Sequence, residues 1–341
     1  MRVDTANRSF ATLAVAALAI AMFVLCGAVG CVLLALLVAR FADSGPGALV
    51  TGAHWVATLF VSIVAAGVLL GFRSIVDQVR ASRVLARRVR ALELPLSREL
   101  EGAVERAGLR GRVLLVDSPE CFSFAYGALT PRVAISRGLV EATSEGELSA
   151  VLEHERYHVH NLDPLKVLLA RAVPATFFYF PVLGALRARY VVGRELAADR
   201  RAVKACGHHP LASALLKVVS APRWGELRAA AAIGGADLLD VRLTQLERGA
   251  EPPLGTPTGR ALALSILAGL ALAGLFVASV IAFGGPSAVT RATGAKLGVV
   301  DVAGAALCAS PWIAGGALGY RWLARRTREP LTDARSGTTV P

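Results

Sequence analysis

The sequence predicts a mainly α-helical, multi-pass membrane protein with a small α+β domain between two pairs of membrane spans. Two observations on the whole chain lead to this fold class: 55% of the 341 residues are hydrophobic, and the mean hydropathy is +0.55. This composition is too apolar for a soluble protein of the same length. A third observation is that the apolar residues are concentrated in long runs near both ends, while short amphipathic segments lie between them.

The N-terminal part is predicted to be a transmembrane hairpin over residues 10–72. Residues 10–39 carry no charge, and a short connector leads to a second apolar run at 48–72, which ends before Arg73. About 20 apolar residues are enough to cross a bilayer. The first run also exceeds the core of a signal peptide, which is roughly 7–15 residues long.

A second transmembrane hairpin is predicted over residues 261–320. Its spans are 261–284 and 297–320, and the second span is interrupted only by Asp301. Residues 321–341 form a polar, basic tail. The sequence therefore predicts four spans in all.

The charge distribution predicts which side of the membrane each segment faces. Residues 73–112 hold ten arginines against five acidic residues. By the positive-inside rule, this segment, the domain at 73–258 and both termini are expected on the cytoplasmic side of the plasma membrane. The net charge of +12 is explained in this way, and no direct nucleic-acid partner is expected.

The five cysteines do not predict a disulfide framework or a thiolate metal site. They are scattered and no CxxC pair occurs. Residues 75–92 have apolar positions at helical spacing and an arginine-rich face. Two interpretations of this face are equally good: contact with anionic lipid headgroups, or an ordinary solvated helix.

The central domain begins with short strands and then a helix. The strands are predicted at 113–116, 122–126 and 133–136, and the turn between the last two makes them a hairpin. Ser144 followed by Glu147 is a capping box, which marks the start of a helix.

That helix carries the motif that indicates chemistry, His154-Glu155-Arg156-Tyr157-His158. Positions four apart lie on one face of a helix, so both imidazoles can reach one metal ion. Glu155 lies about a third of a turn away, where it can take a proton from the attacking water. A catalytic zinc needs a third protein ligand and keeps one position open.

Glu195 and Asp199 are candidates for completing such a site, because they share one face of a later helix. Glu195 would be the third ligand, and Asp199 would accept the free N–H of a ligating histidine. Taken alone, however, this pair is more typical of an ordinary surface helix.

Three segments resemble the BlaR/MecR-type membrane zinc metallopeptidases and, more distantly, the HtpX- and Ste24-type peptidases. They are the run from Phe124 to Leu139, the run from Glu147 to His158 with Asp163, and Glu195-Leu-Ala-Ala-Asp-Arg. The resemblance covers about residues 112–220. It implies a zincin-like (gluzincin) protease domain that binds one Zn²⁺ per chain.

The resemblance also implies a role for each candidate residue. The zinc ligands are His154, His158 and Glu195, the catalytic base is Glu155, and the supporting acid is Asp199. The resemblance does not assign the residue that stabilises the oxyanion, and Arg194 and Arg200 are only candidates for this role. Since His158 and Glu195 must lie on one side of the membrane, the short apolar stretch at 165–190, with Pro181 near its middle, is predicted to be a re-entrant hairpin.

The expected function is a zinc-dependent endopeptidase whose substrate is a cytoplasmic or membrane-adjacent protein or peptide. A transcriptional repressor and misfolded membrane proteins are candidate substrates, and the 122–136 hairpin could offer an edge strand to an extended peptide. The alternative is a regulatory membrane receptor or scaffold with a silent or structural zinc site. The intact Glu155 argues against this alternative, because a structural site does not use that acid.

Overall fold

The computed structural model describes residues 5–25, 54–220, 236–250, 252 and 254–282, together with residues 41, 45 and 47. The chain forms two compact units. The first comprises Met1–Ala14 and Ala65–Ala268, and the second comprises Val15–Val64 and Gly269–Pro341. The predicted span at 297–320 and the tail at 321–341 lie outside the described residues.

The described helices are α1 (Thr5–Leu25), α2 (His54–Ala91), α3 (Arg98–Arg106), α4 (Arg137–Ala142), α5 (Glu145–His160), α6 (Asp163–Thr176), α7 (Pro181–Cys206), α8 (His208–Ser220), α9 (Ala236–Arg248) and α10 (Gly259–Ala282). The described strands are β1 (Glu93–Leu94), β2 (Val113–Val116), β3 (Ser123–Tyr126) and β4 (Arg132–Ser136). The three strands predicted from the sequence are therefore confirmed.

The four strands form one sheet in the order β1-β2-β4-β3. β2 pairs with β4 in parallel, while β3 and β4 form the predicted antiparallel hairpin. β3 therefore lies at an edge of the sheet, with one side of its backbone not paired to another described strand.

All four residues of β2 are buried because both faces of the sheet are covered. Val113 and Leu115 belong to a core shared with α3 and α5. Leu114 and Val116 pack in a second core with Val89, near the end of α2. α2 is thus one continuous helix whose basic half packs on the sheet, a role that neither interpretation of residues 75–92 included.

Two helices among the described residues are long and apolar enough to cross a membrane, at Trp55–Ala91 and Gly259–Ser279. They include most of the spans predicted at 48–72 and 261–284. The span predicted at 10–39 is described only in part, since α1 ends at Leu25 and the residues that follow are not described.

The stretch predicted as a hairpin at 165–190 consists of α6, a short turn and the first part of α7. Pro181 is the first residue of α7, where its missing N–H is not needed by the helix. The polar segment between α8 and Thr258 contains α9, a helix that was not predicted from the sequence.

Candidate metal centre

The capping box at the start of α5 fixes the helix that carries the histidine pair. The Ser144 side chain accepts a hydrogen bond from the Glu147 N–H, and the Glu147 carboxylate accepts one from the Ser144 N–H. Lys217 Nζ, from α8, also lies 2.6 Å from Glu147. α5 is therefore held at its first turn both by its own cap and by a neighbouring helix.

Three side chains of α5 and α7 converge inside the domain. His154 Nε2 and His158 Nε2 are 3.1 Å apart, and Glu195 Oε2 lies 3.5 Å and 3.7 Å from them. All three residues are buried. The spacing of four along α5 places both rings on the face that packs against α7, as expected from helical geometry.

Each histidine meets an acidic residue on its other ring nitrogen. His154 Nδ1 lies 2.9 Å from Asp199 Oδ1, and His158 Nδ1 lies 2.6 Å from Asp163 Oδ2. A carboxylate beside Nδ1 favours the tautomer with the proton on Nδ1, so that the lone pair of Nε2 points into the cluster. The predicted role of Asp199 agrees with this contact, while Asp163 was not assigned a role from the sequence.

The donor set fits a zinc ion. Nitrogen and oxygen ligands at about 2.0–2.1 Å from a tetrahedral ion lie roughly 3.3–3.4 Å from one another. The three atoms of His154, His158 and Glu195 are separated by 3.1 to 3.7 Å. Two imidazoles and one carboxylate also form a ligand set used by catalytic zinc, which leaves the fourth position for water or substrate.

The electrostatics of the site favour a bound cation. Burial opposes charge on Glu195, but Arg194 and the two histidines hold the pKa of this carboxyl well below its usual range. Burial likewise lowers the pKa of His158, but Glu195 and Asp163 outweigh it and raise that pKa to about 10. The acidic residues therefore stabilise positive charge at the place where the Nε2 atoms meet.

Arg242 of α9 also belongs to the site, although no pattern in the sequence indicated it. Its Nε and Nη2 each lie 2.7 Å from a different oxygen of Asp199. Although burial raises it, Arg242 and His154 lower the pKa of Asp199 to about 2. Gln245, one turn later, donates to the Leu196 carbonyl and ties α9 to α7.

The predicted base, Glu155, is buried on α5 and is oriented by β3. Ser123 Oγ donates to Glu155 Oε1 at 2.7 Å. The other oxygen, Oε2, is buried and has no hydrogen-bond partner among the described residues. One oxygen of the carboxylate is thus fixed, and the other remains able to accept a proton.

A chain of hydrogen bonds connects Asp163 with the start of α1. Asn161 Nδ2 donates to Asp163 Oδ1, and Lys166 Nζ donates both to Asn161 Oδ1 and to Asn7 Oδ1. Tyr190 OH also donates to Asp163, and its ring packs against Phe10. The first turns of α1 therefore support the residue that contacts His158.

The backbone directs Asp163 toward His158 at an unusual residue, Leu162. Its φ is 54°, and it is the one non-glycine residue with positive φ in the described part of the chain. This left-handed conformation, which costs a residue with a Cβ about 1–2 kcal/mol, separates α5 from α6. Because α6 begins at once, Asp163 lies next to the end of α5.

The two arginines proposed as oxyanion stabilisers have different positions. Arg194 Nη2 lies 2.9 Å from Glu195 Oε1, so this arginine pairs with a candidate ligand. Arg200 is five residues beyond Glu195, about 140° around α7. Neither position tests the proposed role, which therefore stays a prediction.

Comparison with known proteins identifies the family. The family described as BlaR1 peptidase M56 matches residues 47–246, which is more than half of the chain. This chain belongs to the BlaR1 peptidase M56 family. The match includes β3, α5, α7 and most of α9, and so the three candidate ligands together with Glu155, Asp163, Asp199 and Arg242.

Several curated relatives of this M56 family member are proteases named HtpX. The "Protease HtpX homolog" of Janthinobacterium sp. (strain Marseille) is 31% identical over 131 residues, covering 37% of this chain and 43% of the relative. The homologue of Methanothermobacter thermautotrophicus is 32% identical over 125 residues, covering 30% and 48%. The chain thus spans less than half the length of these relatives. No solved structure matches.

Proposed function

We propose that this M56 family member is a membrane-anchored zinc endopeptidase that cleaves cytoplasmic or membrane-adjacent protein. The observation that carries the proposal is that three candidate metal ligands lie beside a carboxylate of which one oxygen is hydrogen-bonded and the other is not. His154, His158 and Glu195 present converging lone pairs, and Glu155 keeps one buried oxygen without a partner among the described residues. A structural metal site would have no use for this second carboxylate.

The ligands His154, His158 and Glu195 would hold the ion. Bound there, zinc would supply Lewis acidity that polarises the substrate carbonyl and lowers the pKa of water to about 7. Asp163 and Asp199 hold the two imidazoles in the binding tautomer. Glu155 Oε2 accepts the proton of the attacking water and delivers it to the leaving amine.

The edge strand β3 supports a peptide as substrate. The side of its backbone that is not paired to another described strand can pair with an extended chain by β-augmentation. Ser123, the first residue of β3, contacts Glu155 directly. A peptide paired with β3 would therefore run beside the catalytic base, in a position where its carbonyl groups pass the metal site.

The proposed topology has four spans, a hairpin at 165–190 that does not cross, and a cytoplasmic domain, and the site geometry supports the part that concerns the hairpin. Glu195 follows this hairpin and lies beside His154, which precedes it. α6 has 14 residues and is about 21 Å long, shorter than the hydrocarbon core of about 30 Å. Cysteine labelling from outside is expected at residue 44 or 287 and not at residue 181 or 228.

The experiment that tests the proposed function is proteolysis by the purified full chain with β-casein, an unfolded protein, as the probe. Glu155→Gln is expected to retain zinc and to lose cleavage by at least about 100-fold, since the base is removed with little change in shape. The matched control is Glu145→Gln on the exposed first turn of the same helix, which is expected to cleave like the wild type. Normal cleavage by Glu155→Gln would exclude Glu155 as the base.

A further inference from the structure

α2 and the α6–α7 hairpin lie side by side and run in opposite directions. A Cβ on Gly67 or Gly71 would collide with Thr176, so the two backbones are in close contact at the end of α6. Further along, Gln78 Nε2 donates to the Leu168 carbonyl at 3.4 Å. These contacts show which residues of the hairpin lie at the same height along the helix axis as which residues of α2.

The levels on α2 can be related to a membrane, because its apolar part ends at Arg73. Gly67 and Gly71 precede Arg73 by six and two residues, which corresponds to about 3–9 Å along the helix. Thr176 and the turn after it therefore lie only about 3–9 Å from Arg73, on the side of the apolar part of α2. The aromatic residues Phe177, Phe178 and Tyr179 form this turn, and Phe178 is half exposed.

Each helix of the hairpin carries an arginine at the level where the apolar tip ends. Arg171 precedes Thr176 by five residues and Arg187 follows Pro181 by six, so each lies about 8–9 Å from the tip. This is the same level as Arg73 on α2. Aromatic side chains next to arginines, with the arginines on the polar side, are typical of the boundary between lipid tails and headgroups.

The distance of the metal site from this boundary can be estimated along two helices. Along α2, Val89 is sixteen residues beyond Arg73, or about 24 Å. Val89 packs with Phe122 and Phe124, the neighbours of the residue Ser123 that contacts Glu155. Along α6, Asp163 is thirteen residues from Thr176, or about 20 Å, which places it roughly 11–17 Å beyond the level of Arg73.

These heights exceed the thickness of the headgroup layer, which is about 5–8 Å on each side of a bilayer. An ordinary helix tilt of about 20° shortens them by less than a tenth. The site therefore lies in water. An extended chain advances about 3.3 Å per residue, so a segment leaving the bilayer needs about four to seven residues to reach the site.

We propose that α2 and the α6–α7 hairpin hold the metal site above the bilayer, so that it acts on peptide bonds in aqueous segments. A membrane-anchored substrate would be cleaved only at bonds at least about four residues from its own span. Bonds inside the membrane are excluded. This inference rests on the proposed peptidase function and on α2 as a membrane span, and it adds the class of segment that the site accepts.

The first test measures depth and does not depend on activity. The five native cysteines are replaced by alanine, and single cysteines are introduced by Phe178→Cys, Leu169→Cys, Val68→Cys and His160→Cys for nitroxide labelling in nanodiscs of phosphatidylcholine and phosphatidylglycerol. Collision with oxygen and with a water-soluble nickel complex reports depth. Labels at Val68 and Phe178 are expected to be lipid-like, and the label at His160 to be water-like. The label at Leu169, seven residues from Thr176 and so about 2–8 Å beyond the level of Arg73, is expected to be intermediate between them.

The depth measurement has two results that would overturn the inference. A lipid-like label at His160 would place the metal site at the membrane. A water-like label at Phe178, beside a lipid-like label at Val68, would show that the hairpin tip does not lie at the level assigned to it. Zinc content measured on each labelled variant identifies those that have folded, and Leu169 is the matched exposed control for Phe178 on the same hairpin.

The second test uses β-casein fused to a single-span anchor through Gly/Ser spacers of 0, 2, 4, 8 and 12 residues, with cleavage sites mapped by mass spectrometry. No cleavage is expected within about four residues of the span, whatever the spacer length. Cleavage at the span boundary would overturn the inference. If soluble β-casein is not cleaved either, the proposed peptidase function fails with this probe, and the nitroxide depths still decide the height of the site.

Discussion

Arg242 donates to both oxygens of Asp199, from Nε and Nη2, at 2.7 Å each. Asp199 in turn lies 2.9 Å from His154 Nδ1, so Arg242 acts on this imidazole through the Asp199 carboxylate, and its Nη1 also lies 4.0 Å from Glu195 Oε2. A lysine cannot form this bidentate contact, because its ammonium group lacks the planar fork of the guanidinium. The orientation of His154 therefore depends on an arginine 88 positions later in the chain.

We expect Arg242→Lys to weaken zinc binding about 10–100-fold, as is typical when the partner that orients a ligand is lost. Competition with a chromophoric chelator measures the zinc dissociation constant. Arg248→Lys, on the exposed end of the same helix, is the matched control. Zinc affinity that is unchanged in Arg242→Lys would show that the Arg242–Asp199 pair does not act on the metal site.

Ser123→Ala is expected to lower kcat on β-casein about 10-fold while the zinc content stays normal. The substitution removes a hydrogen bond to a charged group, worth about 1.5–3 kcal/mol, that fixes Glu155. Since Ser123 does not contact the ligands, KM should change little, and Ser123→Thr should restore most of the activity. Ser149→Ala on α5, whose exposed hydroxyl donates to the Glu145 carbonyl, serves as the control. Equal kcat values in Ser123→Ala and wild type would contradict this role.

Lys166→Met tests whether the start of α1 supports the metal site. The change removes the hydrogen bonds from Lys166 Nζ to Asn7 and Asn161 and leaves Asp163 with less support. We expect zinc affinity to fall roughly 3–10-fold, less than for the direct partners of the ligands. Lys204→Met, at an exposed position of α7, should bind zinc normally. The same affinity in both variants would argue that Asp163 is held without this chain of contacts.

The Glu147 carboxylate predicts a pH dependence of stability that is independent of the metal. Hydrogen bonds from Lys217, Ser213 and the Ser144 backbone lower its pKa to about 2, against an ordinary value of 4.5. A carboxyl whose pKa is lowered by folding stabilises the protein above its unfolded pKa. That contribution is lost as the pH falls from about 4.5 toward 2.

Thermal unfolding of the full chain in detergent measures this effect. Wild type should exceed Glu147→Gln in melting temperature at pH 7, and the difference should decrease steadily below about pH 4.5. Glu145→Gln, whose side chain is largely exposed, should show little difference at any pH. A difference between wild type and Glu147→Gln that does not change with pH would remove the carboxylate charge from the explanation.

The parts of the site that the sequence predicted are those set by local rules. The capping box at Ser144 fixes where α5 starts, and the spacing of His154 and His158 fixes their common face. The short apolar run of β2 and the turn before β4 likewise follow from neighbouring residues. For Glu195, spacing alone favoured a surface helix, and the resemblance to known peptidases supplied the assignment.

The parts that were missed depend on contacts between distant segments. Asp163 reaches His158 because Leu162 adopts a left-handed conformation. A leucine in a sequence does not predict this conformation, because it is unfavourable for residues with a Cβ. Ser123 and Arg242 meet the site only after the sheet and α9 have packed on α5 and α7. No periodicity or spacing relates such residues to the motif.

The most direct test of the account is the zinc content of the purified full chain, measured by elemental analysis for wild type and for His154→Ala, His158→Ala and Glu195→Ala. The account predicts one zinc per wild-type chain and a clear loss in each of the three variants, because a site with two remaining protein ligands binds the ion poorly. His209→Ala, outside the cluster, should retain the metal. Full zinc retention in all three ligand variants would contradict the assignment of the metal centre.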